Sequence, residues 1–272
     1  MRIITWNIHC ATKNSPVWNI LLELKPDIVL LQEVGSIPKV ISDQYDICSG
    51  IAIYRTGKPQ KFSTAVLVKG RIIEEIELRS KLEWVNKELE FFKGNFIAHE
   101  VKLPNLNRFY VISVYSPAWP VDESRLKDVD TSDVKLENSP KIWATEILWS
   151  ALENTISEKE EWIVGGDYNS SETFDREYQI KHGLKGGIVS EGNKEIRDRM
   201  YELGFKECLR EFNKRLVPTY MHTNKNVIHQ LDHLYVTSSI FKKIKKCYAG
   251  DQSIIFGKLL SDHLPIIDDF TD

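Results

Sequence analysis

The chain reads as an α/β protein in which two mostly antiparallel sheets pack face to face with helices outside. Three features of the 272-residue sequence lead there. Strand-like segments outnumber helix-like ones, and the helices fall between groups of strands. The strands are also short and separated by turn residues, as in antiparallel sheet. No repeat, low-complexity tract or linker interrupts the pattern, so residues 1–272 are expected to form one domain.

Met1–Ile8 alternates and is rich in β-branched residues, as a strand is. Ser15-Pro16 then joins an N-cap to a proline at the first helical position. Ile20, Leu21 and Leu24 carry that helix to Lys25-Pro26, where proline stops it. Asp27–Gln32 is a nearly continuous apolar run, typical of a strand covered on both faces. Gly50–Arg55, Thr64–Lys69, Ile72–Leu78, Phe96–Leu103 and Arg108–Tyr115 follow as strands. Ser139-Pro140 repeats the cap signal and opens the longest helix, with Trp143, Ile147, Ala151 and Leu152 as its inward stripe. Next come the strand Trp162–Gly166 and a helix Glu195–Leu203 closed by Gly204. The strands Pro218–His222, Gln230–Thr237, Ile244–Tyr248 and Leu264–Asp268 complete the series. Arg79–Asn95, Trp119–Asn138 and Ser171–Lys194 are expected as long surface loops.

Hydrophobic residues make up 42% and charged residues 28%, ordinary values for a soluble globular protein. The 36 Lys+Arg against 39 Asp+Glu leave a net charge of −3, which argues against non-specific wrapping of DNA. Basic residues such as Lys181, Lys185 and Lys194 fall in loops, where a solvated face is the ordinary reading. Lys242, Lys243, Lys245 and Lys246 form a cluster read as protection of an edge strand. Cys10, Cys48, Cys208 and Cys247 have no metal-ligand spacing and are expected as reduced thiols of a cytoplasmic protein. No signal-like segment or membrane-length apolar run is present, so no membrane partner is expected.

Polar residues recur where apolar strands end. Asp167 and Asn169 follow Trp162-Ile163-Val164 and the pair Gly165-Gly166; two residues apart on extended chain, they point the same way. Asn7 and His9 share a face at the end of the first strand. Glu33 comes straight after a buried run, and Tyr115 closes another. Asp232 stands among apolar neighbours, where a carboxylate needs a partner. Asp262 and His263 open the last strand. Each has an ordinary explanation as cap, turn or core-edge residue. Their joint occurrence at six strand ends signals a common site.

The motifs TWNIH, LLQEV, VYSP, GGDYN, QLDHLYV and SDHLP, in that order over residues 5 to 265, resemble the endonuclease/exonuclease/phosphatase superfamily. The resemblance implies a four-layer αββα sandwich with its site at one edge of the two sheets. It also implies a hydrolase of phosphate esters using a divalent metal, Mg²⁺ with Mn²⁺ as a substitute. By motif, Glu33 would be the main metal carboxylate, Asn7 would hold metal or phosphate, and Asp262 would complete the set. Asp167 would deprotonate the attacking water that Asn169 places. His263, oriented by Asp232, would contact the scissile phosphate, with Tyr115 supporting the phosphate or leaving group. Gly165 and Gly166 would clear space for that phosphate.

The VYSP segment resembles the nuclease-like branch, nearest exonuclease III and deoxyribonuclease, more than the phosphatase or sphingomyelinase members. It implies a nucleic-acid partner, DNA more than RNA, weakly held by a monomer. A small-molecule or lipid-headgroup phosphate is the alternative substrate. His9, Trp119 and Gln230 are the expected substrate-binding residues. His9, Ala118 and Gln230 also replace residues usual in exonuclease III-type members, which argues against abasic-site recognition.

Overall fold

The structure, a computed structural model, describes residues 1–105, 107–137, 139, 141–157, 160–181 and 192–271. Strands β1 (Arg2–Ala11), β2 (Ile28–Val34), β3 (Asp46–Ile53) and β4 (Pro59–Val68) begin a first sheet. Strands β5 (Arg71–Glu75), β6 (Phe96–Lys102), β7 (Arg108–Tyr115), β8 (Trp162–Asp167), β9 (Phe205–Glu207) and β10 (Asp232–Thr237) build a second. The chain then returns to the first sheet with β11 (Ile244–Ala249) and β12 (Ile266–Phe270). The orders are β11-β12-β1-β2-β4-β3 and β5-β6-β7-β8-β10-β9. One parallel pair lies at the centre of each sheet, β1 with β2 and β7 with β8. Every other pairing is antiparallel, including β12 on β1, where Asp269 faces Arg2.

A parallel pair needs a crossover, and here helices provide it: Val17–Leu24 between β1 and β2, Ala144–Thr155 between β7 and β8. The period-2 alternation decides which face each residue covers. Ile3, Ile28, Leu30 and Ile266 point between the sheets and meet Val111, Ile163, Leu234 and Val236. Ile4, Val29, Leu31 and Ile267 point outward onto Val17, Trp18 and Leu21. Ile112, Val164 and Tyr235 do the same on the other side, against Ile147, Leu148 and Ala151. The layers therefore run helix, sheet, sheet, helix, as expected. Among the described residues no helix is long and apolar enough to cross a membrane.

Several local expectations need correcting. Arg79–Asn95 contains the helix Glu83–Phe91, whose buried Val85, Glu88 and Leu89 repeat at helical spacing. Ser171–Lys194 begins with the helix Glu172–Lys181, and Lys185 lies outside the described residues. Pro218–His222 is no strand, since Tyr220 makes only isolated bridges to His229 and His263. Neither Ser-Pro pair caps its helix. Ser15 Oγ turns back to accept from the Thr12 N–H, and the helix starts at Val17. Ser139 Oγ bonds the backbone of Lys141 instead, and Pro140 lies outside the described residues. The helix begins at Ala144, where the Glu146 carboxylate accepts from the Trp143 N–H at 2.7 Å.

The lysine cluster does border an edge strand, β11. Lys243 pairs with Glu161, and the Lys246 ammonium sits 4.0 Å from the centre of the Tyr248 ring. The glycine pair has a different role from the expected one. A Cβ on Gly165 would come within 2.7 Å of Leu234 Cδ1 and 3.0 Å of Leu30 Cδ1, between the sheets. One on Gly166 would come within 1.9 Å of the Val114 carbonyl oxygen on the neighbouring strand. Close packing of strands and sheets demands these glycines; phosphate does not.

Asp268 on β12 is fully buried between the sheets, with neither oxygen bonded to nitrogen or oxygen. Burial pushes its carboxyl up to about 7, against a weak pull down from the thiols of Cys247 and Cys208. The folded chain therefore holds a proton that the unfolded chain releases near pH 4, so stability falls between pH 4 and about 7 and stays lower above. Asp268→Val is expected to raise stability at pH 8 by about 3 kcal/mol and to flatten that pH dependence. Urea unfolding at pH 5 and pH 8 measures both; an unchanged slope between them would refute it.

Candidate active site

The two parallel pairs end at the same rim of the sandwich, where ligands of α/β sheets usually bind. Asn7 ends the regular part of β1 and is paired with Gln32 on β2. The ladder then breaks, resuming only at Ala11 and Val34. In the bulge His9, Cys10 and Glu33 adopt left-handed backbone, at φ 47°, 55° and 52°. Such residues cost energy and persist where surrounding structure forces them, often at functional sites. The result turns the Glu33 side chain out of the ladder toward Asn7, whose Nδ2 donates to Glu33 Oε1 at 3.2 Å.

The second sheet supplies the facing half. Tyr115 ends β7 opposite Asp167, which ends β8. Asp232 starts β10 directly across from Asp167 on the other side. Asp167 splits its oxygens. Oδ1 accepts from the Asn169 N–H at 2.9 Å, closing the turn that puts Asn169 at φ 46°. Oδ2 accepts from Asn7 Nδ2 at 3.0 Å and from Asn169 Nδ2 at 3.2 Å. One amide nitrogen of Asn7 thus ties the carboxylates of Glu33 and Asp167, across the two sheets. His263 comes in beside β1: Nδ1 lies 2.8 Å from Asp232 Oδ2 and Nε2 lies 3.9 Å from Asp167 Oδ2.

The family model for the endonuclease/exonuclease/phosphatase family matches residues 4–263. The chain belongs to this family. No curated protein sequence matches it. Among solved structures it is similar to an AP endonuclease from Archaeoglobus fulgidus, at 18% identity and TM-score 0.70, with 100% of both chains covered. It is also similar to the 3'-5' exonuclease NExo from Neisseria meningitidis (16% identity, TM-score 0.64, 100% of both chains). The catalytic domain of Xenopus laevis APE2 is similar at 16% identity and TM-score 0.64, over 99% of this chain and 91% of that one. At these identities the likeness speaks for the fold.

Within this family member the electrostatics follow from burial. Desolvation pushes the fully buried Asp167 carboxyl up, partly countered by the His263 charge. Desolvation would lower His263, but the carboxylates of Asp232 and Asp167 outweigh it and raise the imidazole to about 10. His263 is therefore an imidazolium at neutral pH. Burial raises the Tyr115 phenol too, helped by Glu33 and Asp167, so it remains a neutral donor.

Asp167, Asp232 and His263 each offer a ligand atom within 4.8 Å of the others. With both ring nitrogens protonated, however, His263 has no lone pair for a cation. The half-exposed Glu33 carboxylate is the better anchor, since a hard divalent ion needs few protein ligands and keeps its waters. The buried Oδ1 of Asp232 has no hydrogen-bond partner. Four carboxyl groups (Glu33, Asp167, Asp232 and Asp262) thus face one charged imidazole, a balance that a divalent cation corrects. The donor set fits such an ion.

The other expected residues separate. His9 lies on the exposed rim, its Nδ1 3.0 Å from Asp262 Oδ1 but outside hydrogen-bond alignment. Asp262 is half-buried and meets the centre through His9, whose N–H donates to Asn7 Oδ1. Trp119 is half-buried just past Pro117. Gln230 does not line the site. Its amide is buried, accepting from the Val217 N–H at 3.0 Å and donating to Glu207 Oε1 at 3.1 Å. A glutamine two residues before β10 fell on the inner side of a loop, which its position beside the LDH motif did not reveal.

Supporting residues escaped the sequence reading. Ser261 Oγ donates to the Asn7 carbonyl at 2.7 Å and accepts from the His263 N–H at 3.0 Å, fixing one to the other. Thr219 Oγ1 accepts from the N–H of Leu231 and of Asp232. The Tyr220 ring packs 4.9 Å from His263. Below the site Gln32 Nε2 donates to Ser113 Oγ at 3.0 Å, stitching the sheets together. Ser261 and Gln32 had a signal, their places in the SDHLP and LLQEV motifs.

Proposed function

We propose that the chain is a Mg²⁺-dependent phosphodiesterase acting on nucleic acid, DNA more than RNA. What carries the reading is the convergence of Asn7, Glu33, Asp167, Asn169, Asp232 and His263 on one rim, within a family named for these activities. The names of the similar structures, an AP endonuclease and a 3'-5' exonuclease, support a nucleic-acid substrate.

Asp167, with its raised proton affinity, accepts the proton of the attacking water, and Asn169 holds that carboxylate in place. His263 donates from Nε2 toward a non-bridging phosphate oxygen, where negative charge grows. Asp232 keeps the imidazolium charged and oriented. Tyr115 supplies a neutral donor, and Asn7 sets the spacing of Glu33 and Asp167. A divalent cation held by Glu33, with Asn7 and Asp262 nearby, would supply further positive charge at the phosphate.

Purified protein with Mg²⁺ is expected to cut labelled oligonucleotides and to stop in EDTA. Release of inorganic phosphate from nucleotides without oligonucleotide cleavage would move the assignment to a small-molecule phosphatase. Glu33→Ala is expected to weaken Mg²⁺ binding about tenfold or more by calorimetry, equal to about 1.4 kcal/mol. An unchanged titration would place the ion elsewhere.

A further inference from the structure

A cavity of about 430 Å³ opens between the segment after β7, the start of helix Ala144–Thr155 and the segment after β8. Asn169 belongs both to its wall and to the candidate active site, and Ser116 lines the wall beside it. Asn169 Nδ2 donates to the Ser116 carbonyl at 2.8 Å while it also reaches Asp167. A phosphodiester held at Asp167 therefore has this hollow beside it.

The lining differs from what the overall charge would suggest. Ala118, Leu136, Trp143 and Phe174 give it apolar and aromatic walls, and Lys141 is its charged group. Among the described lining residues there is no Asp or Glu, in a chain carrying 39 of them. A second cavity, of about 530 Å³ along helix Glu83–Phe91, is lined by Glu75, Glu77, Glu83 and Glu90 against Arg79 and Lys93, a mixed and net acidic wall less suited to an anion. The first is of ligand size, and its chemistry suits a flat, weakly polar ring tethered to a phosphate.

We propose that this cavity receives an unpaired nucleobase, carried by the nucleotide next to the scissile phosphate. The assignment rests on the phosphodiesterase reading above and extends it to substrate choice. A base inside the hollow has left its stack and its partner, which costs least at single-stranded ends. Trp143 and Phe174 offer it the aromatic contact that sequence-tolerant single-strand binders use. The enzyme is thus a reader of unpaired nucleotides rather than of continuous duplex.

Ala118 is exposed, so Ala118→Trp narrows the hollow without disturbing the core. Two measurements test the idea with wild type, A118W and F174A. In EDTA, calorimetric binding of thymidine 5'-monophosphate is expected to weaken about tenfold or more in A118W. With Mg²⁺, kcat/KM for single-stranded oligothymidylate is expected to fall about tenfold further than that for bis(4-nitrophenyl) phosphate, mainly through KM. F174A should follow the same direction. Equal losses on both substrates, or wild-type binding of the nucleotide no tighter than inorganic phosphate, would overturn the subsite. If no variant or wild type hydrolyses either substrate while nucleotide binding still responds to A118W, the phosphodiesterase reading falls and the subsite stands.

Discussion

Asp167→Asn is expected to lower kcat about 10³-fold while shifting the melting temperature by only a few degrees. The carboxylate sits fully buried at the end of β8, and burial raises its proton affinity toward that needed of a base at neutral pH. The amide is nearly isosteric but takes no proton. Stability moves little because two effects oppose. Losing a buried charge is favourable, whereas an asparagine amide would face the donating amides of Asn7 and Asn169. Steady-state kinetics beside calorimetry separates these. More than about a tenth of wild-type kcat remaining would put the base elsewhere.

His263→Ala is expected to cost both activity and stability. Removing the donor aimed at the growing phosphate charge should lower kcat about 10²- to 10³-fold. The same change strands Asp232, which has no exposed surface, as an unpaired buried carboxylate at a cost of about 3–5 kcal/mol. The pair can be dissected. The double variant D232N/H263A should recover most of that stability and none of the activity. If activity returned with stability, His263 would be a structural residue and the mechanism would fail. A single H263A that unfolds at the wild-type urea midpoint would mean the pair is not a stabilising one.

Much of this arrangement was legible in the sequence because strand-end chemistry is local. Asp167 and Asn169 read as a same-side pair two residues apart, and they share hydrogen bonds. The unease about a carboxylate at Asp232 inside an apolar strand was resolved by His263, 31 residues away. What stayed hidden depended on tertiary context. The helix Glu83–Phe91 sits in a segment with a polar composition, and only packing against the second sheet picks out Val85 and Leu89. Ser15 and Ser139 carry sound capping chemistry, yet each spends it on a local turn. Gln230 occupies a motif position without reaching the rim. The glycines of GGDYN answer to neighbours on four other strands, which no local pattern encodes.

The return of β11 and β12 to the first sheet has a consequence for biosynthesis. Ribosomes deliver the second sheet, with Asp167 and Asp232, before the segment bearing His263 exists. A nascent polypeptide arrested ahead of β11 would hold two facing carboxylates with no imidazolium between them. Competence arrives only when the late strand docks beside the earliest one.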